Sequence, residues 1–364
     1  MRIGLIDNDL VARDRHNFPN LVIMKLSNYH KQKGDYVRLI GFNEINPTSL
    51  FPNNYDLIYI SKAFTDSYTP EYIFKLDNVK LGGTGFYFDK ADPLPFEIEH
   101  TMPDYAIYNN ILHTIKKKEF YTDYSIGYTT RGCFRHCPFC VNKNSNKVEL
   151  HSPIDEFHDP NTKKLAMLDD NVLGLPDKHL FKIFDRLGEI GKPFQYRQGM
   201  DIRLLNEERI KRLFELKYDG DYYFAFDLWR QQKYIEPKMK LFYEYFMNKF
   251  PKRNSYINTK IYVFIGLDET EKYDEIFWIN EIETVFRRIE ICFKYKMMPF
   301  VMRYYKCKES PYSKFFTELT QWTNQPRNCY KHSLNSYTEI ASKIELKKFW
   351  EKHKHLRKYF DLKL

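Results

Sequence analysis

No apolar run in these 364 residues approaches the roughly 20-residue length that a membrane-spanning helix needs. Nor does the chain open with a basic-then-apolar leader, because Met1-Arg2-Ile3-Gly4-Leu5-Ile6-Asp7 enters a strand-like segment at once. Cysteine is scarce: there are six, and Cys292, Cys307 and Cys329 lie far apart, unlike the framework of a disulfide-stapled secreted domain. The expected setting is a reducing, cytoplasmic one with no membrane partner. The phosphate-cradling G-x-x-x-x-G-K-[ST] loop and the H-E-x-x-H zinc helix are both missing.

The chain carries a net charge of +9, and 17% of its residues are aromatic. That balance allows a nucleic acid, a nucleotide-type small molecule or an acidic metabolite as partner, yet surface lysine alone accounts for it. Part of the excess falls in Lys343–Lys363, which reads as one helix with Leu346, Trp350, Leu356 and Phe360 as its docking stripe. Lys347, Lys348, Lys352, Lys354 and Lys358 then face solvent. The segment Phe315–Asn324 reads as an amphipathic helix expected to cover an open sheet edge.

The first 118 residues alternate strand and helix. Strands are expected at Arg2–Asp7, Tyr36–Ile40, Tyr55–Ser61 and Val79–Leu81, with a helix over Asn20–Lys33 between Pro19 and Gly34. This predicts a Rossmann-like parallel sheet whose last strand ends in Gly82-Gly83-Thr84-Gly85. From Tyr124 the alternation restarts, with strands expected at Ser125–Thr129, Lys164–Leu168, Phe194–Met200, Tyr222–Phe226, Lys260–Ile265 and Pro299–Arg303. Helical patterns at Lys178–Ile190, Glu207–Phe214, Lys233–Lys249 and Trp278–Lys294 separate them. Six βα units are too few for a closed eight-stranded barrel, so a (β/α)6 partial barrel over 119–306 is expected, followed by a helical C-terminal extension over 307–364. In such architectures chemistry gathers at the C-terminal ends of strands. Polar residues do cluster there: Asp169-Asp170-Asn171, then Gln198, Asp201 and Arg203, then Asp227, then Gly266 with Asp268 and Glu269.

The most informative segment follows the first of these strands: Arg131-Gly132-Cys133-Phe134-Arg135-His136-Cys137-Pro138-Phe139-Cys140. Three cysteines in C-x3-C-x2-C spacing provide three thiolates on one short loop, enough for three irons of a [4Fe–4S] cube. The fourth iron then has no protein ligand and is open to a substrate or cofactor. A structural zinc site built from Cys133, His136, Cys137 and Cys140 is the rival reading, but no second ligand pair lies nearby.

With Phe139 just before the last cysteine, this motif resembles that of the radical S-adenosylmethionine enzymes, over roughly Tyr124 to Tyr304. The resemblance implies that Cys133, Cys137 and Cys140 hold the cluster and that S-adenosylmethionine chelates its open iron. One-electron reduction, from a flavodoxin- or ferredoxin-type donor, would then release a 5′-deoxyadenosyl radical that abstracts hydrogen from the substrate. It further implies that Leu168-Asp169-Asp170-Asn171 takes the place of the motif that receives the methionine amino group, with either Asp169 or Asp170 as the acceptor, since the family's Gly-Gly-Glu is not present here. Arg203 would pair the methionine carboxylate, Gln198, Asp201 and Asp227 the ribose hydroxyls, and Gly266 and Phe139 would lie against adenine. A weaker resemblance links residues 1–118 to the cobalamin-binding domains some members carry, which would make the protein a cobalamin-dependent methyltransferase. The D-x-H-x-x-G motif of such domains appears only as Asp14-Arg15-His16-Asn17-Phe18-Pro19, and proline cannot replace its glycine. A degenerate domain that has kept the sheet and lost the cobalamin is expected. The alternative of another class is a non-catalytic zinc or iron–sulfur protein that interacts with nucleic acid.

Overall fold

The computed structural model describes residues 1–45, 54–251, 256–341 and 343–364. The chain is mixed α/β, with parallel sheets, and forms two compact units. Unit 1 comprises Met1–Val172 and Asp185–Phe194; unit 2 comprises Leu173–Phe184 and Gln195–Leu364.

In unit 1, strands β1 (Arg2–Asp7), β2 (Tyr36–Leu39), β3 (Leu57–Ser61) and β4 (Val79–Gly82) form a parallel sheet of order β2-β1-β3-β4. The central strand β1 is buried at all but its first residue, because both faces of the sheet are covered. Ile3 and Leu5 pack against Ile23, Met24 and Leu26 of helix α1 (Leu21–Gln32) on one side. Ile6 joins Ile40, Ile58 and Ile60 on the other. Helix α1 starts where the Asn20 side chain accepts the N–H groups of Val22 and Ile23.

Strands β5 (Tyr124–Gly127), β6 (Thr130–Arg131), β7 (Glu149–Leu150) and β8 (Lys164–Met167) follow. β5 and β8 pair in parallel from Tyr124↔Lys164 to Gly127↔Met167. They share a core with the first sheet's helix through Leu21, Tyr124, Ile126, Ala166 and Leu168. β6 and β7 are an antiparallel pair that closes residues 132–148 into one loop. The division between the units falls within helix α2 (Asp177–Ile190) and strand β9 (Phe194–Tyr196).

Unit 2 is built on strands β10 (Tyr222–Ala225), β11 (Thr259–Ile265) and β12 (Met298–Arg303), parallel and in sequence order. Burial alternates strictly along β11, so one face of this sheet is sealed and the other is partly open. Helix α3 (Glu207–Glu215) precedes β10, and helices α4 (Gln232–Lys249) and α5 (Glu275–Lys294) connect β10 to β11 and β11 to β12. The strand expected over Phe194–Met200 stops at Tyr196 and resumes only as a single parallel bridge from Met200 to Phe224.

The free edge of β12 is covered by helix α6 (Ser313–Thr323). The residue just after it, Asn324, pairs with that edge like another strand: its Oδ1 accepts from Val301 N–H at 2.7 Å and its Nδ2 donates to Val301 O at 2.9 Å. The single helix expected over Lys343–Lys363 is instead helix α7 (Ile344–Lys352) and a 3-10 segment, Lys354–Tyr359. The break is at His353, a buried ring set 4.4 Å from that of Phe349, which turns the chain while keeping Leu346, Trp350, Leu356 and Phe360 inside. Cys292, Cys307 and Cys329 are core thiols, and burial pushes Cys307 and Cys329 up to about 12.

One buried ion pair in unit 1 lies outside the sequence expectations. Lys25, on the buried face of α1, reaches Glu99 Oε1 at 2.8 Å, and His151 Nε2 lies 2.9 Å from the same oxygen. Burial works to raise the Glu99 carboxyl, but hydrogen bonds and charge from His151 and Lys25 outweigh it and hold it at about 2. Removing the carboxylate strands a buried ammonium, so Glu99→Gln is expected to cost about 3–5 kcal/mol in urea unfolding at neutral pH. A depressed carboxyl contributes stability above its unfolded value of 4.5, and loses it as pH falls toward 2. The gap between wild type and Glu99→Gln should therefore narrow over that acid range; a gap independent of pH would contradict this account.

Candidate functional site

The expected site residues fall on both units, and each group is described in its own frame. In unit 1 the cysteine loop leaves β6 directly and returns through β7. Cys133, Cys137 and Cys140 are half-buried and none is in a disulfide. Cys140 N–H donates to Cys137 O at 2.9 Å, Asn142 N–H donates to Cys140 Sγ at 3.4 Å, and Cys133 N–H donates to Ser145 Oγ at 3.2 Å. His136 is exposed at φ +50°, with Nδ1 2.7 Å from Lys143 O. The far side of the loop is anchored by Lys143, whose ammonium lies 3.0 Å from Asp89. Among the described residues no three His, Cys, Asp or Glu side chains are gathered as a metal site. Phe139 lies half-buried between the last two cysteines.

The segment after β8 divides its labour. Asp169 is 3% exposed, and its carboxylate accepts from both Thr129 and Thr130. The two hydroxyls and the Thr130 N–H all lie 2.6–2.7 Å from Oδ1. Burial pushes the Asp169 carboxyl up, and the threonine hydrogen bonds pull it back. Asp170 is half-buried and accepts Gly132 N–H at 2.8 Å. Asn171 is 3% exposed, with its Nδ2 3.6 Å from Cys133 Sγ. Its Oδ1 is buried without a hydrogen-bond partner. The structure thus brings Asp170 and Asn171 to the start of the cysteine loop, while Asp169 is spent on tying that start to β8.

In unit 2, Asp201 caps the short turn Ile202–Leu204 and draws the Arg203 guanidinium back onto itself, with Nε–Oδ1 at 2.6 Å and Nη2–Oδ2 at 3.1 Å. Gln198 is exposed just beyond β9. Asp227 Oδ1 accepts Phe264 N–H at 3.2 Å. Burial pushes the Asp227 carboxyl up to about 6 against the pull of Arg288. Gly266 has φ +81°, and a Cβ there would stand 2.2 Å from Cys307 Sγ, so packing already requires glycine. Its N–H donates to Glu281 at 3.0 Å.

Arg288 and Glu281 were missed by sequence reasoning. Arg288 is 1% exposed and donates to Phe264 O at 2.8 Å and to Asp227 O, and pairs with Glu281 at 3.2 Å. The available signal was an arginine between Val285 and Cys292, within the apolar stripe of a helix that has no need of charge.

The glycine turn after β4 also has a local cause. Gly83 has φ +99°, and a Cβ there would stand 2.3 Å from Lys62 O. His16 Nε2 lies 2.5 Å from Phe18 O, two residues along its own loop.

No family model, no curated protein and no solved structure matches this chain.

The division of labour between the two aspartates has a direct check. Asp169→Ala leaves buried N–H and O–H groups unpaired and is expected to destabilise the protein by about 3 kcal/mol in urea unfolding. Asp170→Ala, at a half-exposed position, should cost about 1 kcal/mol or less. Equal losses would show that Asp169 does not carry the loop.

Proposed function

We propose that this chain is a radical S-adenosylmethionine enzyme, with the fold of an N-terminal Rossmann-like domain followed by a (β/α)6 partial barrel. The observation that carries the reading is the C-x3-C-x2-C loop, which leaves β6 just beyond the parallel strand β5, with Asn171 beside its first sulfur. The donor set suits an iron–sulfur cluster: three thiols free of disulfides, half-open to solvent, with N–H groups directed at Cys133 and Cys140.

Once bound, a [4Fe–4S] cluster with S-adenosylmethionine on its open iron supplies reductive sulfonium cleavage and a 5′-deoxyadenosyl radical for hydrogen abstraction. The protein's own part is to bind and orient. Asp170, with acceptor capacity left after Gly132, is the carboxylate suited to the methionine ammonium; Asp169 has given most of its own to Thr129 and Thr130. Phe139, in the same unit as Asp170, would lie against the adenine. In unit 2 Arg203 is held by Asp201, and clasping any carboxylate would require it to leave that partner. A one-electron donor of flavodoxin or ferredoxin type and a reducing, cytoplasmic setting go with this chemistry. The basic, aromatic-rich composition leaves a nucleotide-type or other small-molecule substrate open.

The test is anaerobic reconstitution with iron and sulfide, then S-adenosylmethionine and dithionite. Expected are a brown protein and 5′-deoxyadenosine, both lost in Cys137→Ala. Zinc in place of iron, or a Cys137→Ala variant with full cluster and turnover, would overturn the assignment.

A further inference from the structure

We infer that Asn171 is a positioning residue that tunes the metal centre through an N–H···S hydrogen bond to Cys133. The inference rests on the cluster reading and adds to it a residue that acts through a ligand. The Asn171 side chain is 3% exposed, and its amide nitrogen lies 3.6 Å from Cys133 Sγ. Its amide oxygen is buried with no partner, an arrangement that costs about 1–3 kcal/mol. An aliphatic side chain would avoid that cost, so the donor end of the amide is what the position provides.

The two preceding residues hold this amide in place. Asp169 binds Thr129 and Thr130, and Asp170 binds the Gly132 N–H, immediately before Cys133. Asn171 and Cys133 therefore stand at the ends of two segments stitched together by the residues just before them, which keeps the two positions adjacent. Hydrogen bonds to cluster sulfurs are among the levers that set iron–sulfur potentials. A donor at the Cys133 thiolate draws charge from the sulfur and favours the form carrying one more electron. Asn142 N–H serves Cys140 in the same way, but as a main-chain donor it cannot be removed by changing a side chain.

The experiment is a potentiometric titration of the anaerobically reconstituted full chain with dithionite, followed by electron paramagnetic resonance. Asn171→Ala is expected to bind as much iron and sulfide as wild type. Its midpoint should fall by an amount equal to about a tenfold change in the reduced-to-oxidised ratio, ~59 mV for a one-electron couple. Asn171→Asp should fall further, because a carboxylate beside the thiolate opposes the added electron. Asn171→Ser, which keeps a hydroxyl donor, should lie nearer to wild type, and the Ser–Asp contrast remains decisive if the Ala variant fails to fold. Equal midpoints at equal iron content overturn the inference and leave the cluster reading standing. A wild-type chain that takes up no iron overturns the cluster reading itself.

Discussion

A single buried carboxylate, Asp169, holds the geometry of the cysteine loop. It sits at the end of β8 and collects the N–H and O–H groups of Thr129 and Thr130, just before the loop departs. A strand that ends inside a protein leaves main-chain groups that must find partners, and here one anion satisfies several. The cost of burying it appears as a raised carboxyl, offset by those same hydrogen bonds. Asp170 and Asn171 inherit their positions from that anchor, so the polar contacts around Cys133 are consequences of a structural bond rather than independent features.

Unit 2 solves the mirror-image problem with the opposite charge. At the ends of β10 and β11 the buried Arg288 guanidinium donates to the carbonyls of Asp227 and Phe264, steadied by Glu281. A guanidinium carries five donors in a fixed fork, so one side chain can bridge two strands. Burial pushes the neighbouring Asp227 carboxyl up to about 6, while the Arg288 charge pulls it the other way. Strand ends held this firmly are suited to present polar side chains to a ligand, since little of the binding energy is then spent on ordering them.

Most of the regular structure was legible because it depends on local pattern. The strands of the first sheet, β5, β8, β10, β11 and β12 all lie within a few residues of where apolar runs and turn residues put them. The shortfall at Phe194–Met200 and the split of the C-terminal helix at His353 are the places where the elements depart from the periodicity of the sequence. The cysteine spacing was legible for the same reason: eight consecutive positions carry it. Gly266 was legible as special but not for its cause, since contact with Cys307 joins residues 41 positions apart. Arg203 illustrates the converse, with a side chain suited to an anionic ligand folded instead onto Asp201.

The sequence by itself determined the α/β alternation and the three-thiol loop, because both rest on neighbours in the chain. Only the tertiary structure decided which aspartate is buried against Thr129 and Thr130 and which stays half-buried, that Asn171 faces Cys133, and that Arg288 and the Lys25–Glu99 pair are buried. Each of these depends on groups brought together from distant segments. In a low-dielectric interior the free energy of a charge or an amide is set by those partners rather than by its place in the sequence.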